Sequence, residues 1–216
     1  MPNKKKRNEV MKVKLKPQRK NPERTSIYIN DKYAFSVDKE TLSLLGLYDK
    51  QEISQKELDK LIYQVEKQKA KNYAYRLLTY RMRTEKELVT RLRSKNFADN
   101  IINDVINDLK KLKLVDDNKF ALSFATDRLQ LALKGKRLIF AELIKKGIAD
   151  TDAKSILNQI NHTQEQSACQ RLIEKYQHRY RKLSPLEKKQ RLYGLLVRRG
   201  FSYPIIKSVL NISDLL

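Results

Sequence analysis

The chain has 216 residues, with 47 Lys and Arg against 25 Asp and Glu and a formal charge of +22 at pH 7. So large an excess says little about fold but points to a polyanionic partner, most often nucleic acid. Five Gly and five Pro argue against a disordered or all-β chain, one cysteine excludes an internal disulfide, and no apolar run approaches the roughly 18 residues of a membrane span.

The chain opens with a basic segment: Lys4, Lys5, Lys6, Arg7, Lys12, Lys14, Lys16, Arg19, Lys20 and Arg24 stand against Glu9 and Glu23. No apolar stretch for secretion follows, and a lone thiol suits a reducing compartment, so a cytoplasmic protein is expected. The first seven residues are expected to be disordered. Val10 to Leu15 then reads as a strand, and Ser26 to Ile29 and Tyr33 to Val37 flank Asn30-Asp31 as a hairpin. Asp38 should cap a short helix that runs to Leu45 and closes at Gly46. Ser54-Gln55-Lys56-Glu57 is a capping box opening a long helix that runs on toward module one. Residues 1–53 are thus a basic tail and a small strand-rich head.

Beyond the head, a six-slot apolar pattern occurs three times. Leu88, Leu92, Phe97, Ile102, Val105 and Ile106 recur as Ile139, Leu143, Ile148, Ala153, Ile156 and Leu157, then as Leu192, Leu196, Phe201, Ile206, Val209 and Leu210. A basic column (Lys95, Lys146, Arg199) and a column tolerant of positive φ (Asn96, Gly147, Gly200) keep the same register. Slots four apart share a helix face, and the tolerant residue closes that helix in the left-handed conformation. A second helix follows, for which Asp99, Asp150 and Ser202 are the expected caps. A preceding helix carries the stripe Ala74-Leu77-Leu78, Ala121-Phe124-Ala125 and Cys169-Leu172-Ile173, with Thr84 and Ser184 as caps of the helices that come next. The fold class is mainly α: three tandem three-helix repeats in an elongated curved array behind a small head with a β-hairpin. The expected divisions are the head at 1–53, a linker helix with repeat 1 at 54–116, repeat 2 at 117–162 and repeat 3 at 163–216.

Catalytic chemistry is nearly absent from the sequence. His162, His178 and Cys169 cannot assemble a zinc site of standard spacing. Gly135-Lys136 lacks the rest of a phosphate loop, since Gln130 stands at the first glycine and Arg137 at the Ser or Thr. Asp104 and Asp108 share a helix face and could hold Mg²⁺, but an ordinary exposed face is favoured because no partner histidine or lysine motif accompanies them. No enzyme, no cofactor and no metal are expected.

The basic residues inside the repeats are more informative. Arg81, Arg83, Arg91, Arg93 and Lys95 surround the first helix pair, Lys134, Lys136, Arg137, Lys145 and Lys146 the second, and Lys188, Lys189, Arg191, Arg198 and Arg199 the third. Recurring at the repeat period, these fifteen are the candidate contacts to a polyanion or protein partner. Tyr75, Tyr80, Tyr176, Tyr180, Tyr193 and Tyr203 are interleaved and could stack on bases, with core packing the default for Tyr176.

Three segments resemble a known family. Arg81-Met82-Arg83-Thr84-Glu85-Lys86-Glu87-Leu88, Leu114-Val115-Asp116-Asp117-Asn118-Lys119-Phe120-Ala121, and Lys134-Gly135 with Glu142-Leu143-Ile144-Lys145-Lys146-Gly147-Ile148 are similar, in order, to R-x-R-[ST]-x-x-E-L, hydrophobic-D-D-x-x-F-A and K-G…E-L-x-x-K-G. These are elements of the RecX proteins, bacterial regulators of the RecA recombinase. The resemblance runs from about Tyr73 to the C-terminus and is weakest in the third repeat. The head resembles the extension of Gram-positive members, and Asn96 departs from the glycine usual in the first repeat. The resemblance implies a monomeric regulator lying in the groove of a RecA filament on single-stranded DNA. It further implies inhibition of strand exchange, ATP hydrolysis and coprotease activity, with double-stranded DNA a further candidate partner. The competing class is a stand-alone nucleic-acid binder, a repeated helix-turn-helix repressor or an RNA-binding factor. A specific repressor should need dimer symmetry or a recognition helix with base-reading Asn, Gln and Arg at its start, yet the second helices begin Asp99-Asn100-Ile101, Thr151-Asp152-Ala153 and Tyr203-Pro204-Ile205, with no arginine there.

Overall fold

The computed structural model describes residues 10–210, and the expectation of disorder in the first seven residues lies outside that range. Among the described residues the order is β1 (Met11–Pro17), β2 (Arg24–Ile29), β3 (Lys32–Asp38), α1 (Lys39–Leu45), β4 (Glu52–Ile53), α2 (Gln55–Tyr80), α3 (Glu85–Arg93), α4 (Asp99–Lys111), α5 (Asp117–Gln130), α6 (Lys136–Lys146), α7 (Asp150–Gln159), α8 (His162–Gln177), α9 (Pro185–Arg198) and α10 (Tyr203–Leu210). A 3₁₀ turn at His178–Tyr180 follows α8. Two compact units divide the chain: Met1–Thr79 with Arg91–Asp108, and Tyr80–Thr90 with Leu109–Leu216.

The first unit is built around a four-stranded antiparallel sheet of order β3-β2-β1-β4. Alternation sorts its side chains, as period-2 strands require. Val13, Ile27, Phe35, Val37 and Ile53 are buried with Leu61 and Val65 of α2, while Lys12, Lys14 and Lys16 of β1 are exposed. The β2–β3 turn holds Asn30 at φ 49° and Asp31 at φ 60°. Two positive φ values in a two-residue loop match the right-handed twist of the hairpin, which explains why Asn-Asp suffices without glycine. Asp38 accepts from Thr41 N at 2.7 Å to start α1, and Gly46 ends it at φ 62°. Ser54 and Glu57 exchange the bonds of a capping box, with Ser54 N donating to Glu57 Oε2 at 2.7 Å and Glu57 N to Ser54 Oγ at 3.3 Å. The long helix α2 runs unbroken from that box, and its early turns cover the sheet with Leu61 and Val65. Farther along it, Tyr63 donates to Asp104, and Lys67 lies 3.0 Å from Asp108 and 3.8 Å from Asp104. The carboxylate pair weighed above as a metal site is therefore engaged by a phenol and an ammonium.

The second unit holds modules two and three on one continuous core. Ala121, Ala125, Ile139, Leu143, Ile156, Cys169, Leu172, Leu196, Phe201 and Ile206 belong to a single buried cluster. Within it α5, α6 and α7 pack on one another, as do α8, α9 and α10, and α5 also meets α8. Burial, aided by the nearby Glu165 charge, pushes the Cys169 thiol up to about 12, so it is a packing residue and not a nucleophile.

All three first-pair helices end alike. Asn96, Gly147 and Gly200 have φ of 62°, 95° and 85°. Their N–H groups donate to the carbonyls of Arg93, Ile144 and Val197, and the next residues Phe97, Ile148 and Phe201 donate to Leu92, Leu143 and Leu196. This is the same doubled closing bond three times, and it satisfies carbonyls the helix would otherwise leave open. Every apolar slot is buried except Phe97, Val209 and Leu210, which are half-buried. Two expected caps are corrected. Asp99 and Asp150 are the first residues of their helices, preceded by Ala98 and Ala149; the α7 start has no side-chain cap, Asp99 accepts from Arg93 Nε at 2.8 Å, and Asp150 pairs with Lys154. Both acids act on the positive helix end as charges instead.

Candidate nucleic-acid interface

The basic column before each closing residue places a cation over an aromatic ring of the module's first helix. Lys95 Nζ is 5.9 Å from the Tyr73 ring centre, Lys146 Nζ 6.0 Å from Phe124, and the Arg199 guanidinium 5.9 Å from Tyr176. In the second unit these cations also carry internal bonds. Lys146 pairs with Glu87, and Arg199 donates to Ala132 O at 3.1 Å and Tyr176 Oη at 3.3 Å. Lys95 has no carboxylate partner among the described residues.

The motif residues of the second unit interlock. Thr84 is fully buried; its hydroxyl accepts from Glu87 N at 3.2 Å, which caps α3, and donates to Lys146 O at 2.8 Å, the end of α6. Glu87 receives both Arg81, at 3.0 Å, and Lys146. Burial acts to raise its carboxyl, but these two cations outweigh that and hold it below the ordinary range. Asp116 caps α5 through Lys119 N at 2.9 Å, and Asp117 accepts from Glu85 N at 2.9 Å. Lys134 pairs with Glu142. Gly135 donates its N–H to Arg199 O at 2.8 Å, and a Cβ there would lie 2.3 Å from Gly200 O, so only glycine admits that approach. Lys136 donates from its backbone to buried Glu165 at 3.1 Å and from Nζ to Ile160 O at 2.5 Å.

The fifteen candidates therefore divide. Lys134, Lys136, Lys146 and Arg199 are half-buried and bonded within the fold, and exposed Arg81 and Arg93 hold Glu87 and Asp99. Arg91, Arg137, Lys145, Arg191 and Arg198 are exposed without an ion pair among the described residues, as Lys95 is. Arg83, Lys188 and Lys189 are half-buried. Of the tyrosines, Tyr80 is 86% exposed, whereas Tyr176 packs against the core beneath Arg179 and Arg199. Tyr73 was missed in the sequence because it precedes the apolar stripe and carries no charge of its own.

Known proteins share this arrangement along the chain. The model of the regulatory protein RecX N-terminal domain matches residues 13–54, and those of the first, second and third RecX three-helix domains match 70–109, 116–157 and 163–210. Regulatory protein RecX of Bacillus licheniformis is 33% identical over 202 residues, covering 94% of this chain and 77% of the relative. This chain belongs to the RecX family. The RecX protein of Bacillus subtilis is 33% identical over 199 residues (92% and 75% of the two chains), and that of Caldanaerobacter subterraneus 30% over 188 (87% and 92%). A crystal structure of regulatory protein RecX superposes with a TM-score of 0.74 at 26% identity, covering 93% of this chain and 99% of that one. RecX from Lactobacillus salivarius gives 0.63 at 32% identity, covering 70% and 98%. The interlocked residues are those of the RecX pattern: Thr84 and Glu87 join the first motif to the third through Lys146, Lys134 and Glu142 tie the third motif to itself, and Asp117 joins the second to the first. No described helix is long and apolar enough to cross a membrane.

Proposed function

We propose that this chain regulates RecA by binding its filament on single-stranded DNA and limiting recombinase, ATPase and coprotease activity. Membership of a family of regulatory proteins carries the reading, and the charge of +22 supports a site beside a polyanion. The chain acts by occupancy and not by catalysis, as a monomer in the cytoplasm. Its working parts are the head at 1–53, the linker helix with repeat 1 at 54–116, repeat 2 at 117–162 and repeat 3 at 163–216. Several weak contacts, one set per module, multiply in affinity when they engage one filament. Among the fifteen candidates, the outward contacts belong to Arg91, Lys95, Arg137, Lys145, Arg191 and Arg198, which are exposed without an ion pair among the described residues, whereas Lys134, Lys136, Lys146 and Arg199 already hold the fold together.

The test is RecA's ATP hydrolysis on single-stranded DNA, titrated with the full chain, beside a shift assay with DNA alone. Inhibition at chain concentrations too low to shift bare DNA supports the RecA reading. DNA binding with no effect on RecA beyond competition for DNA would favour a stand-alone nucleic-acid binder.

A further inference from the structure

Inside the first unit lies a cavity of about 750 Å³, within the size range of small-ligand sites. Four cations line it, Arg24, Lys69, Arg76 and Lys95, together with the rings of Tyr73 and Phe97. Asp38 is the one carboxylate in the lining; its Oδ1 accepts from Thr41 N, and its charge faces Arg24. Arg24 is held in place by Ser36, donating to its carbonyl at 3.1 Å and its hydroxyl at 2.9 Å. Lys69 is partly neutralised by Glu66 at 2.8 Å. Arg76 and Lys95 flank the Tyr73 ring at 5.7 and 5.9 Å, and neither has a carboxylate partner among the described residues.

The repeats show that this arrangement is not what the module requires. The slot of Phe97 is filled by Ile148 and Phe201 in the other modules, where it is buried at 4% and 1% exposure; Phe97 is half-buried and faces the cavity. The column of Lys95 is spent on internal bonds at Lys146 and Arg199. Two positions that close the core elsewhere are thus turned to a concave, cation-lined space here. Arg76 and Lys95, without a carboxylate between them, repel one another, which a polyanion would relieve, and an aromatic ring beside them suits a base.

We propose that this cavity binds a nucleotide of a single strand, its phosphates drawing Arg76 and Lys95 off the Tyr73 ring, with Arg24 as a third cation, and its base taking their place against Tyr73, beside Phe97. The proposal rests on the DNA-contact part of the proposed function and gives it a place. The same chemistry would accept a free nucleotide, so the experiment separates the two sources.

Fluorescence anisotropy of a labelled oligothymidylate is measured with the full chain and its variants. Arg76→Gln with Lys95→Gln should weaken binding about tenfold or more, and should flatten the log–log salt slope by about 1.4, or roughly 0.7 for each phosphate no longer neutralised. Arg171→Gln with Lys175→Gln, two exposed positions of the second unit, removes the same charge and should leave the slope unchanged. Tyr73→Ala should weaken binding about 5- to 150-fold, and Tyr73→Phe should restore it. Photo-crosslinking with bromodeoxyuridine in the strand should label the peptide carrying Tyr73 or Phe97, a readout independent of folding changes in the variants. Crosslinks confined to residues 109–210, with equal slopes for the two double variants, would overturn this site while leaving DNA binding by the chain intact. No binding of the strand by the unaltered chain would overturn the site and the DNA-contact reading together. Displacement of the strand by thymidine monophosphate at equal phosphate concentration would replace the strand by a free nucleotide as the occupant.

Discussion

The end of α3 in the first unit and the ends of α6 and α9 in the second are built on one pattern and do different work. Each has a positive-φ closing residue, a doubled closing bond and a cation over a ring. In the second unit that cation also takes a carboxylate or a carbonyl, and the following apolar residue seals the core. In the first unit the cation and the apolar residue both face a cavity. Each repeat therefore keeps the backbone closure, which is a local requirement, while the side chains on it are free to serve either packing or an open surface. The sign of a charge does not say which; its partners do.

The largest effect that bears on this contrast is expected at Gly135. A methyl group there meets the backbone of Gly200 and Phe201, not the movable end of a side chain. Gly135→Ala should cost about 3 kcal/mol, read as a urea-midpoint shift. A midpoint unchanged within error would mean that modules two and three do not close through this approach.

Next is Glu87→Gln, which leaves Arg81 and Lys146 without their shared anion; a loss of about 1–3 kcal/mol near pH 7 is expected. The Glu87 carboxyl is held low in the fold, so its contribution is full above the unfolded value of about 4.3 and is lost as pH falls through the lower folded value. The difference between the unaltered chain and the variant should therefore shrink on acidification below about pH 4. A difference that grows instead would reverse the assigned charge state. Smaller again is Gly46→Ala, which meets no atom within 4 Å and only strains a φ of 62°. It should cost about 1 kcal/mol, seen in melting of the first unit, because strain alone is at issue there.

Much of this molecule is legible in its sequence, for identifiable reasons. The apolar slots, the closing residues Asn96, Gly147 and Gly200, and the capping boxes at Ser54 and Ser184 follow local rules of periodicity, φ and hydrogen-bond geometry, and the structure has them as read. Strand β4, two residues long, offers no period to detect. Asp99 and Asp150 mislead because an acid at the first helical residue and one at the cap look alike in sequence, differing by one position. The candidate site is less legible. Whether Lys134 or Lys136 is a surface charge depends on Glu142, Glu165 and Ile160, which lie 8, 29 and 24 residues away. The cavity joins Arg24, Tyr73 and Lys95, and nothing local links a hairpin arginine to a helix-closing lysine.

The most direct test of the division between closing cations and open ones is to melt three single variants of one column side by side. Lys146→Gln and Arg199→Gln each remove bonds internal to the second unit and should lower the melting temperature by about 2–8 °C, the size expected for roughly 1–2 kcal/mol in a chain of this length. Lys95→Gln removes an exposed charge that holds only the face of a ring and should melt within error of the unaltered chain. Equal losses in all three would contradict the account, since the column would then be structural glue throughout.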